Sequence, residues 1–242
     1  MKESDITGNI DVSIRYSRQI AIPEIGEKGQ SLIRNGKILV VGCGALGSMV
    51  IMQLAAAGVG TLGFADFDNI EVSNLQRQFF FETSQAGESK VKVMTQRVKL
   101  INPDIKVEAL SKLIDRKLAQ SIFPYYDFII DATDNHHVKS IIDEISLENQ
   151  KPCCLAGVKN FSGQVLTLMP SDMRFYDIFE NTEGGCFLPC SQGGVAGSAT
   201  ALCASIQASE AIKFLTGAGE TLSGQLFTFN LLTNSYKVYR LN

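Results

Sequence analysis

Lys37-Ile38-Leu39-Val40-Val41-Gly42-Cys43-Gly44-Ala45-Leu46-Gly47 is the stretch that decides how this chain folds. Its first five residues, KILVV, form a short apolar run that stops at a glycine turn, the pattern of a buried strand. From Ala45 to Ala57 the chain is rich in Ala, Met and Leu and halts at Gly58, which predicts a helix with a glycine C-cap. Between the two, Gly42, Gly44 and Gly47 fit GxGxxG. The first glycine permits a tight turn, the second lets a phosphate approach the backbone, and the third packs helix on strand. The helix N-terminus then offers amide donors and the positive end of a dipole to an anion. Asp66 closes the next strand, Thr61–Asp66, at a distance suited to accepting hydrogen bonds from a ribose. With strand, turn, helix and acid in order, the unit reads as a nucleotide-binding turn rather than a purely structural one.

Outward from this unit, strand and helix signals keep alternating. Glu88–Ile101 sets Val91, Met94, Val98 and Ile101 at helical spacing and ends before Asn102-Pro103. Lys106–Leu110, Asp127–Ala132 and Cys153–Gly157 read as strands, with helices over Asp115–Phe123 and His137–Glu148 between them. Such alternation implies a mainly parallel sheet covered on both faces. The last third changes character. Gln164–Met169, Gln225–Phe229 and Ser235–Arg240 read as strands, the last two joined as a hairpin that follows a long Ala-rich helix over Val195–Leu215. No repeat, low-complexity tract or linker interrupts the chain. The expected fold is α/β, one domain over residues 1–242: a Rossmann-like nucleotide-binding sheet with a mixed C-terminal continuation.

The 242 residues are 45% hydrophobic and 19% charged, ample for a buried core. Lys+Arg number 22 against 25 Asp+Glu, a net charge of −3 with no basic stripe, so no nucleic-acid partner is expected. No run of about 18 uninterrupted apolar residues occurs, which argues against a membrane partner. The polar start, Met1–Asp11, lacks the basic-then-apolar order of a secretory leader, and a cytoplasmic location is expected. Six cysteines (Cys43, Cys153, Cys154, Cys186, Cys190 and Cys203) are too few and irregular for a disulfide framework. Without a CxxC pair, and with His136 and His137 as the sole histidines, no zinc site is expected. The two histidines read as a solvated helix start, and Cys43 as a small spacer within the glycine loop.

The segment after Asp66 narrows the chemistry. It runs Asp68-Asn69-Ile70-Glu71-Val72-Ser73-Asn74-Leu75-Gln76-Arg77-Gln78, which sets Asn74 and Arg77 near the expected sugar-phosphate path; Lys90 opens the next helix. Asp134, in Asp131-Ala132-Thr133-Asp134-Asn135, follows a strand end, where open α/β sheets bind ligands. Two cations and a metal-capable carboxylate suit triphosphate chemistry better than hydride transfer, because negative charge must be neutralised as pyrophosphate leaves. Asp134 also reads as an N-cap for the helix after it. Arg15 and Arg18 read as an exposed helix face. Cys190 reads either as a buried core cysteine or as a loop thiol, since Gly184-Gly185-Cys186-Phe187-Leu188-Pro189-Cys190 bears glycine and proline.

These motifs together resemble the ThiF/MoeB/HesA family of sulfur-carrier protein adenylyltransferases, relatives of the adenylation domains of ubiquitin-activating enzymes. The resemblance runs from Arg15 to the last strand. It is carried by RYSRQ (Arg15–Gln19), the GCGALG loop, DFDNIEVSNLQRQ (Asp66–Gln78), Lys90 in GESKV, INP (Ile101–Pro103), DATDN (Asp131–Asn135), CSQGGV (Cys190–Val195) and QASEAIK (Gln207–Lys213).

The resemblance implies that the chain adenylylates the C-terminal glycine of a small β-grasp sulfur carrier ending in Gly-Gly, ThiS-like or MoaD-like, for thiamine or molybdopterin synthesis. ATP and Mg²⁺ are the implied cofactors. Asp66 would hold the ribose, Arg77 and Lys90 the phosphates, and Asp134 the magnesium, with Asn74 near the reacting phosphate. Asp68, Gln78 and Asn135 join the nucleotide-binding set within the same motifs. Arg18 would reach the triphosphate of the neighbouring subunit, which makes a homodimer necessary. Cys190 matches the cysteine that some relatives use for sulfur transfer or a covalent link to the carrier, with a cysteine desulfurase or other donor supplying sulfur. A departure accompanies this: where many bacterial members carry the first of two zinc-binding CxxC pairs, this chain reads Asp172-Met173-Arg174-Phe175-Tyr176-Asp177. Having no appended rhodanese-like domain, the sequence tilts toward a thiamine carrier. The competing readings are an enzyme activating another carboxylate, of the tRNA-modification dehydratase type, a NAD-dependent oxidoreductase, and a non-catalytic carrier-binding scaffold.

Overall fold

Four apolar residues in a row, Ile38 to Val41, leave strand β1 (Lys37–Val41) no solvated face, and it lies inside an eight-stranded sheet. The computed structural model describes residues 12–179 and 193–241. The other strands are β2 (Thr61–Ala65), β3 (Lys106–Leu110), β4 (Phe128–Asp131), β5 (Cys153–Lys159), β6 (Ser162–Leu168), β7 (Gln225–Asn230) and β8 (Ser235–Arg240), in the order β3-β2-β1-β4-β5-β6-β7-β8. The first five are parallel, and β6, β7 and β8 continue the same sheet antiparallel. This is the α/β sheet with a mixed continuation that the sequence predicts. The helices are α1 (Val12–Arg15), α2 (Ser17–Ile20), α3 (Gly26–Asn35), α4 (Ala45–Ala57), α5 (Lys90–Ile101), α6 (Arg116–Ile122), α7 (His136–Glu148), α8 (Phe175–Phe179) and α9 (Gly197–Thr216).

Alternation along the central strands builds two cores. Ile38, Val40, Phe128 and Ile130 face one side with α4, α5 and α9; Leu39, Val41 and Ile129 face the other with α7. A strand packed on both faces reads as a continuous apolar run, which is why KILVV is legible as one. The outermost strand, β8, is exposed along its whole length.

Most predicted elements stand within one or two residues of their expected ends, the ordinary uncertainty of a helix or strand terminus. The sequence reading passes over α3, whose segment GEKGQSLIRN carries two glycines and little apolar surface. Tertiary contacts hold it: Ile33 is fully buried, and Gln30 donates to the Ala57 carbonyl at 3.1 Å. The β5 strand outruns its expected end because Asn160-Phe161 turns it directly into β6, with Asn160 in the left-handed region at φ 55°. In the Asp172–Asp177 segment, Arg174 pairs with the buried carboxylate of Asp143 on α7, and the Phe175 amide donates to the same carboxylate at 3.0 Å.

Candidate active site

Strand order reverses between β1 and β4, and ligands of open α/β sheets sit beyond the carboxyl ends of the strands at such a point. A cleft of about 320 Å³ opens there. Its walls bring together Gly42, Gly44, Asp66, Asp68, Asn74, Arg77, Gln78, Lys90, Asp134 and Asn135, segments that lie far apart in sequence.

The glycine loop has the geometry its sequence predicts. Gly42 has φ 99°, a conformation that side chains resist, and a Cβ there would lie 2.8 Å from the Ala132 carbonyl. A Cβ on Gly47 would stand 1.8 Å from the Gly42 carbonyl oxygen, so helix α4 packs against the turn only with glycine at this position. Gly44 is the N-cap of α4 and no side chain caps it. The first-turn amides, which no intrahelical carbonyl accepts, therefore suit an anion.

Asp66 lies just past β2, its carboxylate fixed by two backbone amides: Cys43 donates to Oδ2 at 2.6 Å and Asp68 to Oδ1 at 2.8 Å. A carboxylate accepts about four hydrogen bonds, which leaves capacity for sugar hydroxyls. Lys90 is 5% exposed and donates from Nζ to Asp68 Oδ2 at 2.9 Å. Arg77 is steered by the Ser73 carbonyl and by Asn74 Oδ1, each at 3.1 Å, and the rest of its guanidinium donors remain for a ligand. Gln78 also donates to Asn74 Oδ1, at 3.3 Å, while its own Oε1 is buried and unpartnered among the described residues. An orphaned acceptor in a cleft wall is costly unless a ligand donor meets it, and a nucleoside supplies such donors.

Asp134 is exposed and lines the cleft. The structure separates its two readings: the α7 cap is Asn135, whose Oδ1 accepts from the amides of His137 (2.9 Å) and Val138 (3.2 Å), leaving Asp134 out of the cap. One exposed carboxylate beside the uncapped glycine turn is a donor set that fits Mg²⁺, which binds through one or two carboxylates together with substrate phosphates.

Arg18 is exposed and does not line its own chain's cleft. Tyr16, two residues before it, packs on Gly58 at the C-terminal end of α4 and accepts from Asn102 Nδ2 at 2.7 Å, joining the RYSRQ and INP motifs. The glycine loop is at the opposite end of α4, a helix of 13 residues and so about 20 Å long. Cys190 and Cys186 lie outside the described residues. The other cysteines, Cys43, Cys153, Cys154 and Cys203, are all buried. Burial pushes their thiols up, Cys43 well above the usual thiol range and Cys203 to about 12, which leaves them inert.

Sequence reasoning missed part of the cleft. Phe67, Lys112, Leu113 and Ile114 line it, the last three from the segment after β3, as do Lys139 and Thr200. Only the strand order places the end of β3 beside the glycine loop, and no local signal marks it.

The sequence pattern of the ThiF family matches residues 16–242. The chain is 36% identical over 229 residues to the probable adenylyltransferase/sulfurtransferase MoeZ of Mycobacterium tuberculosis, covering 92% of this chain and 58% of that protein. It is 34% identical over 228 residues to the probable molybdopterin-synthase adenylyltransferase of Gracilaria tenuistipitata, covering 94% of this chain and 64% of that one. It is 33% identical over 230 residues to the sulfur carrier protein adenylyltransferase of Thermus thermophilus, covering 92% of this chain and 85% of that one. The chain thus spans less than two thirds of the length of the first two relatives. Among solved structures, E. coli MccB with ATP superposes with a TM-score of 0.81 at 21% identity, covering 94% of this chain and 71% of that one, a likeness of fold.

Proposed function

The chain belongs to the ThiF family, and on that premise we propose that it is an adenylyltransferase that activates the C-terminal glycine of a small sulfur-carrier protein with ATP. One observation carries the reading: a single cleft joins the uncapped glycine turn, the amide-fixed carboxylate of Asp66, the cations Arg77 and Lys90, and the exposed carboxylate of Asp134. A dinucleotide site needs the first two; the cations and Asp134 are what a triphosphate adds. Names of the curated relatives support the same chemistry, and the naming of one for molybdopterin synthase favours a MoaD-like carrier over the ThiS-like carrier to which the sequence tilts.

In this reading Asp66 accepts from the ribose hydroxyls while the α4 amides, Arg77 and Lys90 bind the phosphates. The carrier's terminal carboxylate attacks the α-phosphorus of ATP, a new acyl–phosphate bond forms, and the bond to the β-phosphate oxygen breaks to release pyrophosphate. Arg77 and Lys90 offset the charge that gathers on the leaving group. Magnesium, held by Asp134, would supply further neutralisation of phosphate charge. Asn74, which orients Arg77 through Oδ1, stays near the reacting phosphate. Arg18 serves the cleft of a second subunit, and its position at the far end of α4 supports that assignment. The single domain of residues 1–242, the homodimer and the cytoplasmic location belong to the same proposal.

ATP/pyrophosphate exchange tests the reading. Exchange is expected with Mg²⁺ and a carrier bearing an intact C-terminal glycine, and its absence with every β-grasp carrier tried would overturn the proposal. We assign any thiol step to Cys190, on its match to the cysteine that some relatives use for sulfur transfer, and the cysteines among the described residues are all buried. Cys190→Ala is expected to keep most pyrophosphate exchange and to lower carrier thiocarboxylate formation in a complete sulfur-transfer assay. A wild-type rate of thiocarboxylate formation would make Cys190 incidental. Loss of exchange in the folded variant would instead place Cys190 in the adenylation site.

A further inference from the structure

Two buried charges, Asp131 and Lys139, flank Asp134 in sequence. Lys139, on the first turns of α7, is 2% exposed, and Asp131, the last residue of β4, is fully buried. The Lys139 ammonium pairs with Asp131 Oδ2 and donates to the carbonyls of Thr133 (2.9 Å) and Ala156 (2.7 Å). An ammonium has three N–H groups, and among the described residues these three acceptors face it. Although Lys139 lines the cleft, its donors are turned to the protein frame, which distinguishes it from the phosphate-binding cations.

The same loop is fastened from two other directions. Asp131 Oδ1 accepts from the Thr133 amide (3.1 Å) and hydroxyl (2.7 Å). From α9, the buried Gln207 donates through Nε2 to the Asp131 carbonyl (2.7 Å) and the Cys154 carbonyl (3.2 Å). Beyond Asp134, Asn135 is locked into the α7 cap. Asp134 therefore stands between two fixed points, exposed to the cleft while the backbone on either side is tied down. A buried ion pair of this kind adds little stability over apolar residues of the same volume, so stability alone does not account for it.

We propose that Lys139 is a positioning residue: with Asp131 it holds the Thr133 carbonyl to β5 and so aims the Asp134 carboxylate into the cleft. The inference rests on the adenylylation reading for the task of Asp134, while the fastening itself is a property of this chain alone. A single substitution would strand a buried charge, so the test uses Lys139→Met combined with Asp131→Asn. The side-chain amide introduced by Asp131→Asn still accepts from Thr133, and only the ties from residue 139 are lost.

The double variant is expected to fold, with KM for ATP within about threefold of wild type and kcat of pyrophosphate exchange lower by about 10–100-fold, the cost of an ångström-scale misplacement. Lys139→Arg, which keeps a buried donor cation, is expected to stay within about fivefold of wild type. Amide hydrogen exchange over residues 133–138 should be at least about tenfold faster in the double variant, a local opening that reads the fastening without the reaction. A folded double variant with kcat within about twofold of wild type overturns the proposal, whatever its amides do. If wild type itself shows no pyrophosphate exchange, the adenylylation reading has failed and the amides alone decide: faster exchange supports the fastening, and unchanged exchange overturns it. Should the double variant not fold, Lys139→Gln combined with Asp131→Asn, a neutral pair that removes the ammonium while keeping a polar side chain at 139, takes its place with the same outcomes.

Discussion

Asp134→Asn is expected to lower carrier-dependent pyrophosphate exchange by about 100–1000-fold while the protein stays folded, the usual effect of removing one central electrostatic group from a site. The side chain is exposed and the α7 cap belongs to Asn135, so the substitution leaves the core and the helix start untouched. An amide keeps the size of the carboxylate and loses the charge through which Mg²⁺ is usually bound beside substrate phosphates. Nucleotide binding should persist, because the glycine turn, Asp66 and Lys90 remain in place. Thermal unfolding and circular dichroism check the fold, and radiolabelled exchange checks the rate. Near-normal exchange in a folded Asp134→Asn protein removes Asp134 from the chemistry.

The second large effect concerns Arg18. Arg18→Ala and Asp134→Asn are each expected to abolish exchange, and mixing the two proteins under subunit exchange should restore activity. In a heterodimer, the cleft of the Arg18→Ala chain keeps its Asp134 and receives Arg18 from its partner, so one of two sites is intact. Random mixing makes half the dimers heterodimeric, and recovery should approach about a quarter of the wild-type rate. A cis role for Arg18 allows no intact site in any combination. No recovery, with subunit exchange demonstrated independently, places Arg18 in cis or outside the site. The anchoring of Tyr16 on Gly58, a helix length from the glycine loop, is the structural reason to expect recovery.

What the sequence discloses about this site is its local part. Lys37 to Gly58 is legible because each step is fixed within a few residues: an apolar run for β1, glycines where a Cβ would collide at 42 and 47, and a left-handed cap at Gly58. Asp66, Lys90 and Asp134 are legible because each follows or opens an element of that alternating pattern, and Arg77 because it stands in the polar segment after Asp66. Lys139 is not. Nothing local within His137–Glu148 marks it, and its burial depends on β5 lying beside β4, which brings the Ala156 carbonyl within reach. Lys112 to Ile114 escape for the same reason, since they join the cleft only through the order β3-β2-β1-β4. The α3 helix escapes because its hold comes from the burial of Ile33 and from the bonds of Gln30 to Gln19 and Ala57, not from its own helix-forming residues. The trans role proposed for Arg18 has no signature in composition or spacing at all, and enters through the family resemblance.

The most direct measurement is the intact mass of a β-grasp carrier incubated with this protein, ATP and Mg²⁺ and quenched in acid. The account predicts a carrier heavier by one adenylyl group at its C-terminal glycine, with pyrophosphate released in step and no adduct when that glycine is deleted. A carrier of unchanged mass, or pyrophosphate release that is indifferent to the terminal glycine, would contradict it.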